Sequence, residues 1–428
     1  MKYNIEQIYQ LYLQASGIST DTRKIKEKSI FFALKGENFD GNKFAKDALN
    51  EGAKYAVIDD ISVANDDNRF ILVENVLQTL QDLAAYHRQK LHIPIIGITG
   101  TNGKTTTKEL VNAVLSTQYR VVATQGNLNN HIGVPLTLLE IDHKHTQIAI
   151  VEMGANHIGE IAFLCQIAQP THGLITNIGT AHLEGFGSQN GIIETKKALY
   201  EAVKHVDGTL FVNADDDLLL QLAGNAKQLT YGKQGVVKGI CNEKKMYMTF
   251  RLPEFNKTIS TQLTGAYNFP NAMAAVAVGL HFGIDIEDIV YALISYKPTN
   301  SRSQVEEIHG HTIIVDAYNA NPSSMKEAIL NMSKLKSEHK ILILGSMKEL
   351  GTESRKEHEK IIKLIEQQDF EQVYLLGKEY GQTTNPKILS SDSFEEMVTA
   401  IQKNIPSNST ILLKGSRSMK MERFLEIL

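Results

Sequence analysis

The sequence predicts an α/β protein of three domains: a small N-terminal α/β unit, a central domain built on a parallel sheet with a P-loop ATPase-type phosphate loop, and a C-terminal Rossmann-like α/β domain. Three observations predict it. The chain has 428 residues, and domains of ~150 residues would divide it into about three. Apolar runs alternate with helical patterns along most of its length. Those runs are continuously apolar, which fits strands covered on both faces by helices. The divisions are expected at residues 1–85, 86–300 and 301–428.

In the first unit, short strands at residues 29–34, 55–58 and 70–73 alternate with a helical stretch at 44–51. A helical pattern at residues 76–90 leads into an apolar run at 93–98. From there strand, turn and helix repeat, with strands at residues 148–151, 174–175 and 210–212. GAYNFPN (residues 265–271) then precedes a helix rich in Ala and Val. KPTNS (residues 297–301) reads as a linker, and residues 298–301 as a hinge between domains. Beyond it, strands at residues 312–315, 340–344, 372–376 and 410–413 restart the rhythm.

Composition narrows the function. Lys and Arg number 44 against 48 Asp and Glu, a net charge of −4. No global basic field exists to hold nucleic acid or an anionic membrane, so an anionic ligand needs a local site. The cysteines Cys165 and Cys241 make no disulfide framework and point to a reducing, cytoplasmic setting. The N-terminus lacks a signal-peptide pattern. The longest apolar stretch, residues 272–280, falls well short of the ~18 residues of a membrane span. A monomer acting on small molecules, without nucleic acid or membrane insertion, is expected.

The polar residues suited to chemistry follow the carboxyl ends of the expected strands, the edge where open parallel sheets bind ligands. GITGTNGKTTTKE (residues 97–109) lies between a buried strand and a helix. Its glycines let the backbone approach phosphate, helix-start N–H groups cradle the anion, and Lys104 supplies a point charge. Thr105 offers a hydroxyl to magnesium. The spacing is a variant, because Ile98 stands where the usual pattern has its first glycine.

Glu152 ends a buried strand, where a carboxylate either binds a cation or caps the following helix. His182 lies in a glycine-rich loop and, as one of 14 histidines, carries little weight on residue type alone. Lys196 and Lys197 read as opening the next helix on a solvated face. Asp215, Asp216 and Asp217 read as a helix cap. No zinc-ligand spacing and no nucleophile elbow occur, so neither zinc nor a covalent protein intermediate is expected.

GTNGKTTT (residues 100–107), GNLNNHIGVP (126–135), VEMGANHIGEI (151–161) and NIGTAHLEGFGS (177–188) together resemble the Mur ligases, three-domain ATP-dependent amide-bond ligases of peptidoglycan synthesis. DAYNANPSSM (316–325) is similar to the segment marking the member that adds a dipeptide. DTR (21–23) and SIFFALKGENFDG (29–41) resemble the family's UDP-sugar-binding domain. The Asp-Asn-Pro-Arg segment of diaminopimelate-adding members is absent from the sequence. The resemblance implies ATP and Mg2+ as cofactors and UDP-N-acetylmuramoyl-tripeptide and D-Ala-D-Ala as substrates. The alternatives are another Mur-type ligase, including a folylpolyglutamate synthetase, or a phosphate-loop switch.

The same resemblance implies residue roles. Gly100, Thr101, Asn102, Gly103, Lys104, Thr105 and Thr106 would hold the ATP phosphates. Thr105, Glu152 and His182 would ligate magnesium, joined by Lys196 if carbamylated. Lys104, His182, Lys196 and Arg302 would be catalytic. Asn268 and Asn271 would lie by the adenine, with Arg302 and Asp316 reaching from the third domain to phosphate and ribose. Thr22 and Arg23 would contact UDP. Asn129, Tyr318, Asn319, Asn321, Lys414, Ser416 and Arg417 would line the substrate side. Two departures stand out: Leu344-Gly345-Ser346-Met347 has serine where the family often has aspartate, and Thr22 replaces the commoner serine.

Overall fold

The structure, a computed structural model, describes residues 3–64, 67–180, 183–299 and 301–428. Within these residues each expected domain has its own sheet. The N-terminal unit carries a parallel sheet in which Ile30–Phe32 lies between Ile18–Ser19 and Tyr55–Ile58, with Phe70–Leu72 at the far edge. The central sheet is parallel throughout. Across it run Val237–Lys238, Gln228–Gly232, Thr209–Asn213, His172–Ile175, Ile95–Thr99, Ile148–Glu152 and Val121–Ala123. Ile95–Thr99 comes first in the chain of these strands, and its successors fall on both sides of it. The strand order therefore switches beside the phosphate loop, where a crevice opens.

The third domain's sheet runs Gln304–Ile308, His311–Asp316, Thr410–Lys414, Lys340–Gly345, Gln372–Leu376 and Ile388–Ser391. It is parallel except for its first pair. Apolar side chains cover both of its faces, with Met325, Ile329 and Leu344 on one and Ile343, Met397 and Phe424 on the other. Asp316 and Lys414 stand side by side in register at the ends of neighbouring strands.

Three outcomes differ from the sequence expectations. The helix Val76–Gln89 runs through the division placed at residue 85. It packs against the first helix, Ile5–Tyr12, and against the central helices Gly133–Leu139 and Glu160–Ala168. Polar contacts fix this joint: Tyr12 donates to the Leu139 carbonyl at 2.9 Å, and Arg88 donates to the Ala168 carbonyl at 2.9 Å. Second, an antiparallel sheet of Ile240–Asn242, Tyr247–Leu252 and Lys257–Thr264 interrupts the parallel rhythm. Its strands alternate buried and exposed residues, the pattern of a sheet covered on one face. Third, Lys196 does not open a helix. Ser188 caps the helix Gln189–His205 by accepting from the Gly191 N–H, so Lys196 falls in its interior, 3% exposed.

At the sheet's opposite edge, His172 and His281 meet with their Nε2 atoms 3.1 Å apart. Burial, the facing His281 and Lys227 depress His172 from its ordinary 6.5 to about 4. The unfolded chain therefore takes up a proton that the folded chain refuses. This stability is fully present above pH 6.5 and is lost as pH falls toward 4, with an upper limit of ~3 kcal/mol. His172→Phe is expected to flatten the fall in melting temperature between pH 6.5 and pH 5, measured by calorimetry. An unchanged slope would contradict this.

Candidate active site

The phosphate loop is shaped by two glycines. Gly100 has φ +150°, and a Cβ there would sit 1.9 Å from Thr176 Oγ1. Gly103 has φ +79° and precedes the helix Lys104–Leu115 with no side-chain cap. The first N–H groups of that helix thus have no side-chain acceptor and are free to receive an anion. Thr176 and Asn177, at the end of the adjacent strand, splint the loop. Thr176 Oγ1 donates to the Asn102 carbonyl at 2.6 Å, and the Asn102 N–H donates to Asn177 Oδ1 at 3.0 Å. The sequence marked residues 177–188 as a motif but gave no sign of this splint, which depends on strand order.

Lys104 Nζ donates to the Gly100 and Thr101 carbonyls at 2.8 and 3.2 Å. Burial lowers its pKa; Glu152 opposes the shift and Arg302 adds to it. Lys196 lies beneath the loop, donating to the Gly100 carbonyl at 3.1 Å. Burial first, and the Lys104 charge second, push its amine down to about 7. The solvated-face expectation holds only for Lys197, whose side chain lies near Glu194 and Glu201.

Glu152 ends the strand beside the loop and is 1% exposed. It does not cap a helix, since the next one starts at Glu160 behind Gly159. Instead Oε1 accepts from Thr105 Oγ1 at 3.2 Å and from Asn129 Nδ2 at 2.7 Å, while Oε2 is buried with no partner among the described residues. A buried, unpaired carboxylate oxygen beside a hydroxyl is a hard-oxygen donor set, which suits a small divalent cation. His182 lies outside the described residues. The aspartates behave largely as read: Asp216 caps Asp217–Ala223, whereas Asp215 accepts from the Lys233 and Gln234 N–H groups.

A cleft of about 710 Å³ separates this edge from the third domain. Across it, Lys414 Nζ pairs with Asp316 Oδ2 at 2.5 Å. Arg302 stacks on Tyr318, its guanidinium carbon 3.6 Å from the ring centroid, and its buried Nε has no partner among the described residues. Ser303, left-handed at φ +52°, accepts from Asn268 Nδ2 at 2.9 Å and so ties the linker to the central domain beside Arg302. Asn271 accepts from Thr107 Oγ1 at 3.1 Å and crowds Gly103, which sets it against the phosphate loop itself. Asn319 and Asn321 also line the cleft.

Other expected residues lie elsewhere. Thr22 and Arg23 belong to a turn of the N-terminal unit that does not line this cleft, and Arg23 pairs with Asp21 at 2.8 Å. Ser416 is buried and accepts from the Lys348 N–H, a supporting position. Arg417 is exposed, 5.7 Å from the Tyr318 ring.

These features define a class: a phosphate-loop enzyme whose cleft is shared by the facing strand ends of two α/β domains. The chain belongs to the Mur ligase family. Family models match all three parts: the Mur ligase catalytic domain at residues 14–88, the middle domain at 98–279 and the glutamate ligase domain at 301–417. The UDP-N-acetylmuramoyl-tripeptide–D-alanyl-D-alanine ligase of Bacillus subtilis (strain 168) is 37% identical over 430 residues, covering 96% of this chain and 92% of its own. Its Escherichia coli (strain K12) counterpart is 30% identical, covering 96% and 93%. MurF from Acinetobacter baumannii superposes with a TM-score of 0.85 at 30% identity, covering 98% of this chain and 97% of its own. MurF from Thermotoga maritima in complex with ADP does so with a TM-score of 0.85 at 28% identity, covering 97% of each chain.

Proposed function

We propose that this ligase joins D-alanyl-D-alanine to UDP-N-acetylmuramoyl-tripeptide with ATP, giving UDP-N-acetylmuramoyl-pentapeptide, ADP and phosphate for cell-wall peptidoglycan. One observation carries the reading: a phosphate loop and an unpaired buried carboxylate face the Arg302, Asp316 and Lys414 cluster and the Asn-Ala-Asn-Pro segment across one cleft. Full-length likeness to relatives named for that reaction supports it. The precursors are soluble, so the enzyme works in the cytoplasm, and no described helix is long and apolar enough to cross a membrane.

The chemistry follows from the substrates. A carboxylate is a poor acyl donor, so the γ-phosphoryl group moves to the tripeptide carboxylate and makes an acyl phosphate. Lys104 and Arg302 neutralise charge on the transferring group. The dipeptide amine attacks the acyl carbon, and the tetrahedral intermediate collapses with loss of phosphate. Both substrates are held between domains, which lowers the barrier by orientation and excludes water from the acyl phosphate. Thr105 and Glu152, with His182, would hold Mg2+, which when bound neutralises phosphate charge. Lys196 is suited to carbamylation, since its lowered pKa leaves neutral amine near pH 7. That amine adds to carbon dioxide and releases a proton, leaving an anion beside Lys104.

The direct test is incubation with ATP, Mg2+, the tripeptide substrate and D-Ala-D-Ala, followed by mass spectrometry. A UDP-linked pentapeptide is expected; ATP hydrolysis that ignores both acceptors would favour a phosphate-loop switch instead. Glu152→Gln keeps an oxygen for Asn129 and Thr105 but loses the charge. It is expected to lower kcat by about 10²-fold and to raise the Mg2+ concentration needed for half activity. An unchanged Mg2+ dependence would remove Glu152 from the metal site.

A further inference from the structure

The side chain of Asn102 is engaged by two residues of the third domain. Its Nδ2 donates to Ser323 Oγ at 2.8 Å, Ser323 Oγ donates to Asn321 Oδ1 at 2.9 Å, and Asn321 Nδ2 returns to Asn102 Oδ1 at 2.8 Å. Three side chains thus close a ring of hydrogen bonds in which each donates one bond and accepts one, all pointing the same way around. Such rings polarise their members cooperatively. Asn102 belongs to the phosphate loop of the central domain, whereas Asn321 and Ser323 open the helix Pro322–Lys334 of the third domain.

The ring is the first of three anchors along that helix. In its last turn, Asn331 Oδ1 accepts from the Ala266 N–H at 3.2 Å, and at its end Lys334 pairs with Glu243 at 2.8 Å. The first anchor is closely packed at Gly179, where a Cβ would sit 3.1 Å from Ser323 Oγ. Asn102's backbone is held by Thr176 and Asn177 of its own domain. The loop is therefore gripped by its own domain through the backbone and by the other domain through one side chain.

We propose that Ser323 and Asn321 are positioning residues for the phosphate loop, tying its working geometry to the docked third domain through Asn102. The proposal rests on the ligase reading above. Its consequence is that the loop reaches its reacting geometry only when Arg302 and the acceptor side are in place. ATP held by an undocked enzyme is then spared wasteful hydrolysis.

The test is a double-mutant cycle on dipeptide-dependent turnover. Ser323→Ala leaves Asn321 free to cap the helix through the Ser324 N–H, so the variant retains its fold. Ser323→Ala and Asn102→Ala are each expected to lower kcat roughly tenfold, and the double variant also only roughly tenfold, because all three break one ring. The KM for ATP of Ser323→Ala should stay near wild type, and Ser323→Thr, which keeps the hydroxyl, should restore kcat. Multiplying effects in the double variant, or a wild-type kcat in Ser323→Ala, would overturn the proposal. If the wild-type enzyme shows no dipeptide-dependent turnover, it is the ligase reading that fails. The same cycle read on thermal unfolding then decides the ring: non-additive shifts support it and additive shifts overturn it.

Discussion

Lys104→Ala is expected to lower kcat by about 10³-fold while leaving the fold intact, because the lost charge is used on the transferring phosphoryl group. Structure argues for both halves. The amine now satisfies only two carbonyls of its own loop, and the loop keeps its shape through Gly100, Thr176 and Asn177. Burial already disfavours the charged amine, so removing it relieves a desolvation cost. A second consequence follows at Lys196, whose depression is due in part to the Lys104 charge. In Lys104→Ala that amine should titrate higher, which reactivity toward an amine-selective reagent across pH can follow. Steady-state kinetics with full activity, or an unfolded variant, would contradict the assignment.

Lys414→Met carries the largest expected cost in stability. The Lys414 side chain is 2% exposed and its Asp316 partner 16%. Taking the cation away leaves a mostly buried carboxylate without its counterion, with a loss of about 3–5 kcal/mol. Glu327 sharpens the effect: burial raises its pKa, Lys414 lowers it and Asp316 raises it. Two carboxylates would then confront each other with no cation between them. Urea denaturation should show the drop, and Asp316→Asn combined with Lys414→Met should recover most of it. A loss below 1 kcal/mol in the single variant would mean that the pair is solvated rather than structural.

The legible parts of this chain are those written locally. The phosphate loop, the strand ending at Glu152 and the strands ending at Asp316 and Lys414 each carry their signal within a few residues. Lys196 lies on a buried helix face rather than a solvated one, and the buried positions Ile192, Lys196, Leu199, Tyr200 and Val203 follow the 3.6-residue period of such a face. The antiparallel sheet has no continuous apolar run to mark it, since strands covered on one face, such as Tyr247–Leu252, alternate buried and exposed residues. The ring of Asn102, Asn321 and Ser323 has no local signal: its partners lie 219 and 221 positions apart and meet only when two domains dock. Ser303 was hidden for the same reason, since its partner Asn268 belongs to the other side of the linker.

The central claim is that this cleft activates a carboxylate as an acyl phosphate and passes it to an amine. Labelling the tripeptide's terminal carboxylate with heavy oxygen and weighing the released phosphate tests it most directly. The account predicts one heavy oxygen in the phosphate for each pentapeptide formed, and none when D-Ala-D-Ala is left out and no product forms. Unlabelled phosphate released alongside pentapeptide would contradict it, because the carboxylate oxygen would then never have carried the phosphoryl group.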